Sequence, residues 1–148
     1  MKADAVIVRA VTADDIPALA ALEQLCFSEP WSETALELLL TEAAVGLVCL
    51  DGTRVLAYGG MLWAPDEGQI TNVAVHPDAR RRGCAKAILA AFDTLAREHH
   101  AEQIALEVRA SNQAAIALYE GDGYKIVGKR KNFYRAPRED ALVMIKKL

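Results

Sequence analysis

Cysteine is scarce in this chain of 148 residues. Cys26, Cys49 and Cys84 are odd in number and lack the paired spacing of a disulfide framework or a zinc site. The chain also has no run of about 18 apolar residues, which a membrane-spanning helix needs. Met1–Asp4 has no apolar core of the kind that begins a signal peptide. These absences predict a cytoplasmic protein with no metal site and no membrane partner.

An excess of positive charge is also absent. The chain has 17 Lys and Arg against 20 Asp and Glu, a net charge of −3. Proteins that bind nucleic acid usually carry a basic face, so we expect no direct nucleic-acid partner. No repeat, low-complexity tract or linker interrupts the chain, and its length suffices for one hydrophobic core. We therefore expect a single domain over residues 1–148. These features do not determine the oligomeric state, for which a monomer is favoured.

Hydrophobic periodicity predicts the element order β-α-α-β-β-β-α-β-α-β-β. The Asp51-Gly52 turn between two apolar runs predicts a hairpin. The last two strands are predicted over Tyr124–Val127 and Ala141–Ile145, with a loop over Lys131–Pro137 between them. This order is typical of a mixed α/β (α+β) fold with helices on both faces of one sheet.

Three arginines lie where the third helix is predicted to begin. Arg80–Arg82 precede Gly83, between an apolar strand and an amphipathic helix. A helix N-terminus offers unpaired N–H groups and the positive end of the helix dipole, and glycine allows a close approach to the backbone. The segment lacks the Lys-Ser/Thr pair of a P-loop and the three glycines of a dinucleotide-binding loop. It indicates either a site for another phosphate-bearing cofactor or a solvated basic turn.

Several segments resemble one enzyme family. The loop Arg80–Ala85, directly after the strand Thr71–Val75, matches the Gln/Arg-x-x-Gly-x-Gly/Ala consensus of the GNAT superfamily of acyl-CoA-dependent N-acetyltransferases. Within that superfamily the chain resembles the RimI group, bacterial enzymes that acetylate the N-terminal alanine of a small-subunit ribosomal protein. The segments that carry this second resemblance are Phe27–Ser32, Leu106–Asn112, Ala115–Glu120 and Arg138–Ala141.

The resemblance implies a mostly antiparallel, roughly seven-stranded sheet, acetyl-CoA as donor, and the N-terminus of a ribosomal protein as acceptor. It also implies that backbone groups of the strand before the loop align the pantetheine arm, and that N–H groups of the loop hold the pyrophosphate. The cofactor-binding residues implied in this way are Val73, Ala74, Val75, Arg80, Arg81, Arg82, Gly83, Cys84, Ala85, Lys86 and Asn112. The residues implied to contact the acceptor are Trp31, Asn72, Phe133 and Tyr134.

Glu107 is the best candidate for a general base. Amide formation from a thioester needs a neutral amine, and the α-amino pKa of about 7.7–8.0 makes a modest base sufficient. Strand alternation places Glu107 opposite Leu106 and Val108, on a strand that we expect to be covered. Burial would raise the pKa of its carboxyl, although an ion pair with Arg109 fits the sequence equally well. The resemblance implies that this glutamate accepts the proton, with Glu67 as the alternative.

Tyr119 and Asn112 lie on the helix after that strand. By sequence alone, Tyr119 is a half-buried aromatic residue and Asn112 an N-cap. The resemblance implies that Tyr119 is the general acid for the departing CoA sulfur and that Asn112 also contacts the cofactor. Two other functions remain open at this stage, acetylation of a small-molecule amine and non-catalytic sensing of acyl-CoA.

Overall fold

A computed structural model describes residues 6–148, so the expectation for Met1–Asp4 lies outside the described residues. The predicted strands and helices occur in the predicted order. The strands are β1 (Ile7–Ala10), β2 (Ala44–Asp51), β3 (Arg54–Ala64), β4 (Glu67–Val75), β5 (Gln103–Arg109), β6 (Lys125–Arg135) and β7 (Arg138–Lys147). The helices are α1 (Ile16–Cys26), α2 (Glu33–Leu36), α3 (Cys84–Glu98) and α4 (Gln113–Gly121).

The strands of residues 6–148 form one seven-stranded sheet in the order β1-β2-β3-β4-β5-β7-β6. Every neighbouring pair is antiparallel except β4 and β5, which run parallel. A parallel pair needs a long crossover connection, and α3 supplies it. The expectation of a mixed, mostly antiparallel sheet is confirmed.

Helices cover both faces of the sheet, as predicted, because strand residues alternate between two hydrophobic cores. In β2, Leu47 and Cys49 pack in the core that contains the apolar side chains of α3 and α4. Val48 and Leu50 point the other way, into the core that contains those of α1 and α2. A strand covered on both faces reads as a continuous apolar run, which is how β2 appears in the sequence.

The prediction of a loop over Lys131–Pro137 is wrong, because β6 extends through most of this segment. The two strands pair up to Arg135 opposite Arg138, which leaves Ala136 and Pro137 as the turn of a hairpin. β6 is an edge strand, and nearly all of its residues are exposed. It therefore has no buried face that would require alternating apolar residues. Its Lys and Arg side chains are typical of exposed edge strands.

Asp15, in the short 3₁₀ turn before α1, gives the fold a pH-dependent anchor. Its carboxylate accepts two hydrogen bonds from the Arg9 guanidinium, at 2.8 and 3.0 Å, and one from the Thr12 backbone N–H at 2.7 Å. The bonds from Arg9, with those from Thr12, lower the pKa of Asp15 to about 2. A carboxyl with a lowered pKa stabilises the fold above its unfolded-state pKa, and this contribution is lost as the pH falls through the folded-state pKa.

We therefore expect Asp15→Asn to lower the free energy of unfolding by about 1–2 kcal/mol near pH 7, relative to wild type. The difference should shrink between pH 4 and pH 2, because in this range the Asp15 carboxyl is protonated in the unfolded state while it is still ionised in the folded state. Urea unfolding of both proteins at several pH values measures it. A difference that stays constant down to pH 2 would show that the ion pair with Arg9 contributes no stability.

Candidate active site

The parallel strands β4 and β5 are paired along only part of their length. Residues Glu67–Ile70 pair with Gln103–Leu106, and the described pairing ends there. Beyond that point β4 runs on to Val75 against β3, and β5 runs on to Arg109 against β7. The facing edges of the two strands are therefore not joined to each other in this part of the sheet. Backbone N–H and C=O groups on such edges can bond an extended ligand inserted between them.

A cavity of about 660 Å³ opens at this separation. Its walls come from β4, β5, the start of α4, the segment between α1 and α2, and the β6–β7 hairpin. The predicted catalytic and acceptor-contacting residues all line it: Trp31, Asn72, Glu107, Tyr119, Phe133 and Tyr134. Val73 and Asn112 from the predicted cofactor set also line it. The fold thus brings together residues that are more than 100 positions apart in the chain.

Glu107 lies on the cavity wall, but the expectation that it is buried is wrong. Its side chain is 32% exposed, and its Oε2 accepts a hydrogen bond from Nε of Arg130 at 3.0 Å. The prediction of an ion pair between Glu107 and Arg109 is also wrong, because Arg109 pairs with Glu139 at 3.2 Å. The strand face that carries Glu107 turns towards the cavity and the hairpin rather than towards a covering helix. The carboxylate is therefore reachable by water and by a substrate.

Tyr119 is nearly buried in α4, at 7% exposure, and lines the same cavity. Its ring packs edge-on against the Tyr124 ring, with 5.7 Å between centroids. Burial raises the pKa of Tyr119 to about 12. The phenol therefore keeps its proton at neutral pH and offers a hydrogen-bond donor to whatever occupies the cavity.

The arginine loop has the backbone of an anion-binding turn. Arg81 and Gly83 both have left-handed conformations, with φ of 67° and 80°. α3 begins at Cys84, and its first backbone bond runs from Ala87 N to the carbonyl of Gly83. The N–H groups between these positions have no partner one turn earlier, so they are available to a phosphate. Arg82 bonds Asp51 at 3.1 Å, which ties the loop to the β2–β3 turn.

Gly83 provides a direct test of this loop. An alanine there would have space, since nothing lies within 4 Å of an added Cβ, but its left-handed backbone is strained. We expect Gly83→Ala to lose about 1 kcal/mol of stability and to bind acetyl-CoA roughly tenfold more weakly, because the loop N–H groups shift. Calorimetric titration with acetyl-CoA measures the second effect.

Gly123→Ala is the matched control for strain, because Gly123 also has a left-handed φ, of 100°, but lies after α4. It should lose stability and keep its affinity for acetyl-CoA. Equal weakening of acetyl-CoA binding in both variants would mean that the arginine loop has no special part in binding the donor.

The remaining predicted residues have clear structural roles. Asn112 caps α4, as predicted, through its Oδ1, which accepts from Ala115 N at 3.1 Å. The side chain of Ala74 is buried in the core, which leaves only its backbone for a ligand. Glu67 bonds the side chains of Gln69 and Gln103 at the start of β4. It is not among the residues that line the cavity, which counts against it as the alternative base.

Sequence reasoning missed Glu23, the most completely buried carboxylate among the described residues. Its oxygens accept hydrogen bonds from Trp31 N, at 2.8 Å, from Asn72 Nδ2, at 2.7 Å, and from the Tyr58 hydroxyl. A signal was present, because Glu23 follows the buried Leu19 by four positions and so lies on the apolar face of α1. A charged residue at a core position of a helix marks a buried polar contact.

Over residues 6–148, no group of three or more His, Cys, Asp and Glu side chains is arranged to hold a metal ion. In the same part of the chain, no helix has the length and apolar character required to cross a membrane.

Residues 16–124 match the model of the GNAT acetyltransferase family, and the chain belongs to this family. It is an acetyl-CoA-dependent N-acetyltransferase. It is 34% identical over 132 residues to the ribosomal protein bS18-alanine N-acetyltransferase of Escherichia coli K12. The aligned region covers 88% of this chain and 89% of that protein. The resemblance to the RimI group is thereby confirmed.

Solved structures agree with the family assignment. The crystal structure of the Escherichia coli ribosomal-protein-S18-alanine N-acetyltransferase superposes with a TM-score of 0.88 at 31% identity, over 96% of this chain and 93% of that one. Ard1 from Thermoplasma volcanium superposes with a TM-score of 0.89 at 26% identity, over 97% and 98%. The predicted fold is confirmed by these superpositions.

Proposed function

We propose that this enzyme acetylates the N-terminal alanine of the small-subunit ribosomal protein bS18, in the cytoplasm where ribosomal proteins are made. The observation that carries the proposal is that Glu107 and Tyr119 line one cavity at the separation of β4 and β5. The activity named for the Escherichia coli relative supports the choice of acceptor. The cavity opens between the α1–α2 segment and the β6–β7 hairpin, where an extended peptide N-terminus can enter.

The residues present fit acetyl-CoA, which supplies the acetyl group as a thioester. We assign the backbone of Val73–Val75 to the pantetheine arm, because this edge of β4 is not paired with β5. The N–H groups of Arg81–Lys86 are assigned to the pyrophosphate, because helix N-termini stabilise anions. The arginines of the loop add positive charge around this position.

Glu107 is proposed as the general base. An α-amino group with a pKa of about 7.7–8.0 is mostly protonated at pH 7, so its proton must be removed before it can attack. The carboxylate of Glu107 is one-third exposed and can accept this proton directly or through one water. Once it has passed this proton to solvent, the carboxylate can accept the second proton, which the nitrogen loses as the amide forms and the thiolate leaves. Arg130 donates to Oε2 of Glu107 and fixes the position of that oxygen.

Tyr119 is proposed as the acid that assists the leaving sulfur. Its pKa of about 12 is well above the value of about 8.5 for an ordinary thiol. The phenol therefore stabilises the departing thiolate chiefly by donating a hydrogen bond, and complete proton transfer is not required. A buried donor is effective in this role because few water molecules compete with it.

A panel of acceptors tests the proposal. The protein is incubated with acetyl-CoA and peptides that carry the first residues of bS18, beginning with alanine or with a bulky residue in its place. Small amines such as polyamines and aminoglycosides are included, and CoA release and peptide mass are followed. We expect acetylation of the alanine peptide alone. Turnover of small amines only would refute the ribosomal assignment, and no release with any acceptor would favour an acyl-CoA sensor.

A further inference from the structure

Three parts of the fold meet at the carboxylate of Glu23. The residue lies on α1 and has no exposed surface. Its Oε1 accepts from the backbone N–H of Trp31, in the segment that follows α1, and its Oε2 accepts from Tyr58 on β3 and Asn72 on β4. These three donors are neutral. Removing a carboxylate from water is costly, so its presence here depends on these hydrogen bonds.

The segment between α1 and α2 forms one wall of the cavity, with Phe27, Glu29 and Trp31 among its lining residues. It is anchored on two sides. The Ser28 hydroxyl donates to the carbonyl of Ala136 in the hairpin turn, and Trp31 N donates to Glu23 at 2.8 Å. Since the segment is neither helix nor strand, these bonds set how far it stands from β4.

We propose that Glu23 is a positioning residue for the acceptor. By holding the Trp31 N–H, it keeps the α1–α2 wall at the spacing from β4 that an incoming N-terminus requires. Glu23 also holds Asn72, which lines the same cavity from β4. This inference rests on the proposed function only in that the acceptor occupies this cavity.

The position of Glu23 makes its effect selective. Its hydrogen bonds reach the acceptor wall and one side chain each on β3 and β4, whereas Arg82 anchors the arginine loop to Asp51. Loss of the bond to Trp31 should therefore weaken binding of the acceptor and leave binding of acetyl-CoA intact. Binding of acetyl-CoA thus serves as an internal control in the experiment.

Two variants of similar size separate the hydrogen bond from packing. Glu23→Met fills the same space but offers no oxygen to Trp31, whereas Glu23→Gln keeps one carbonyl oxygen that can accept. With the acceptor peptide that wild-type enzyme uses best, we expect Glu23→Met to raise the acceptor KM about tenfold. Its kcat and its KM for acetyl-CoA should stay within about twofold, and Glu23→Gln should restore most of the acceptor affinity.

Tyr58→Phe is the matched control. It removes another donor from the same carboxylate and leaves the bond between Glu23 and Trp31 in place. Its acceptor KM should therefore remain close to wild type, even if its melting temperature changes. An acceptor KM raised as much as in Glu23→Met, or equal effects of Glu23→Met on both substrates, would overturn the proposal in favour of general stabilisation.

Amide hydrogen exchange gives a second readout that needs no acceptor. In the ligand-free wild type and in Tyr58→Phe, we expect the Trp31 amide to exchange at least about 100-fold more slowly than an unstructured amide. In Glu23→Met this protection should be lost, while amides of the central strands stay protected. Rapid exchange of the Trp31 amide in wild-type protein would refute the proposal even if Glu23→Met does not fold. Failure of the proposed acceptor, by contrast, would leave this protection unchanged.

Discussion

Replacing Glu107 with glutamine is expected to lower kcat for the peptide acceptor by about 100- to 10,000-fold, the usual contribution of a general base. The amide of glutamine has nearly the shape of the carboxylate but cannot take a proton from the incoming amine. Acetyl-CoA should still bind with wild-type affinity, because no residue of the arginine loop is among those that line the cavity beside Glu107. Steady-state kinetics at pH 7 and calorimetric titration measure the two quantities.

The pH dependence sharpens this test. Between pH 7 and pH 9 the neutral fraction of an α-amine rises from about one-tenth to about nine-tenths, so the need for a base falls. The deficit of Glu107→Gln should therefore decrease over this range. Glu67→Gln is the control, since it removes the other candidate glutamate outside the cavity. A Glu107→Gln enzyme within twofold of wild type, or a larger loss in Glu67→Gln, would contradict the assignment.

Replacing Tyr119 with phenylalanine is expected to lower kcat by about 10- to 100-fold, with the KM for both substrates little changed. The ring and its packing against Tyr124 remain, so only the hydrogen bond to the leaving sulfur is lost. Because the pKa of Tyr119 is about 12, its ionisation lies outside the accessible range. The pH–rate profile between pH 6 and pH 10 should keep its shape.

Tyr124→Phe is the control for the second aromatic ring, whose hydroxyl is buried without a partner among the described residues. It should leave kcat unchanged and increase the free energy of unfolding, since an unsatisfied buried hydroxyl is removed. An effect of Tyr119→Phe on acceptor KM alone would identify Tyr119 as an acceptor-binding residue rather than the acid.

The sequence was informative where residues act through their own strand or helix. The start of α3 after Gly83, the N-cap role of Asn112 and the placement of Glu107 on the strand face opposite Leu106 and Val108 all follow from local pattern. The structure agrees with each. It was misleading about Glu107's partner. Arg109 lies two positions away on the same strand, yet the partner is Arg130, which reaches Glu107 from the edge strand β6.

Contacts between residues far apart in the chain also explain the other differences between prediction and structure. The β6–β7 hairpin was hidden because an exposed edge strand shows no apolar alternation. Glu23 could be recognised as an anomaly on the apolar face of α1, but its three donors come from positions 8, 35 and 49 residues further on. No local pattern specifies such partners, because they depend on how α1 packs over β3 and β4.

By itself the sequence determined the order of strands and helices, the glycine turn before α3, and the family to which the chain belongs. Those properties depend on periodicity, glycine conformation and short motifs, which are local. Only the tertiary structure decided that β4 and β5 separate beyond Ile70 and Leu106 and that Glu107 and Tyr119 face one cavity there. It also decided that Glu107 is partly exposed beside Arg130 and that Glu23 is buried. Burial and pairing depend on strand register and helix packing, which bring distant residues together.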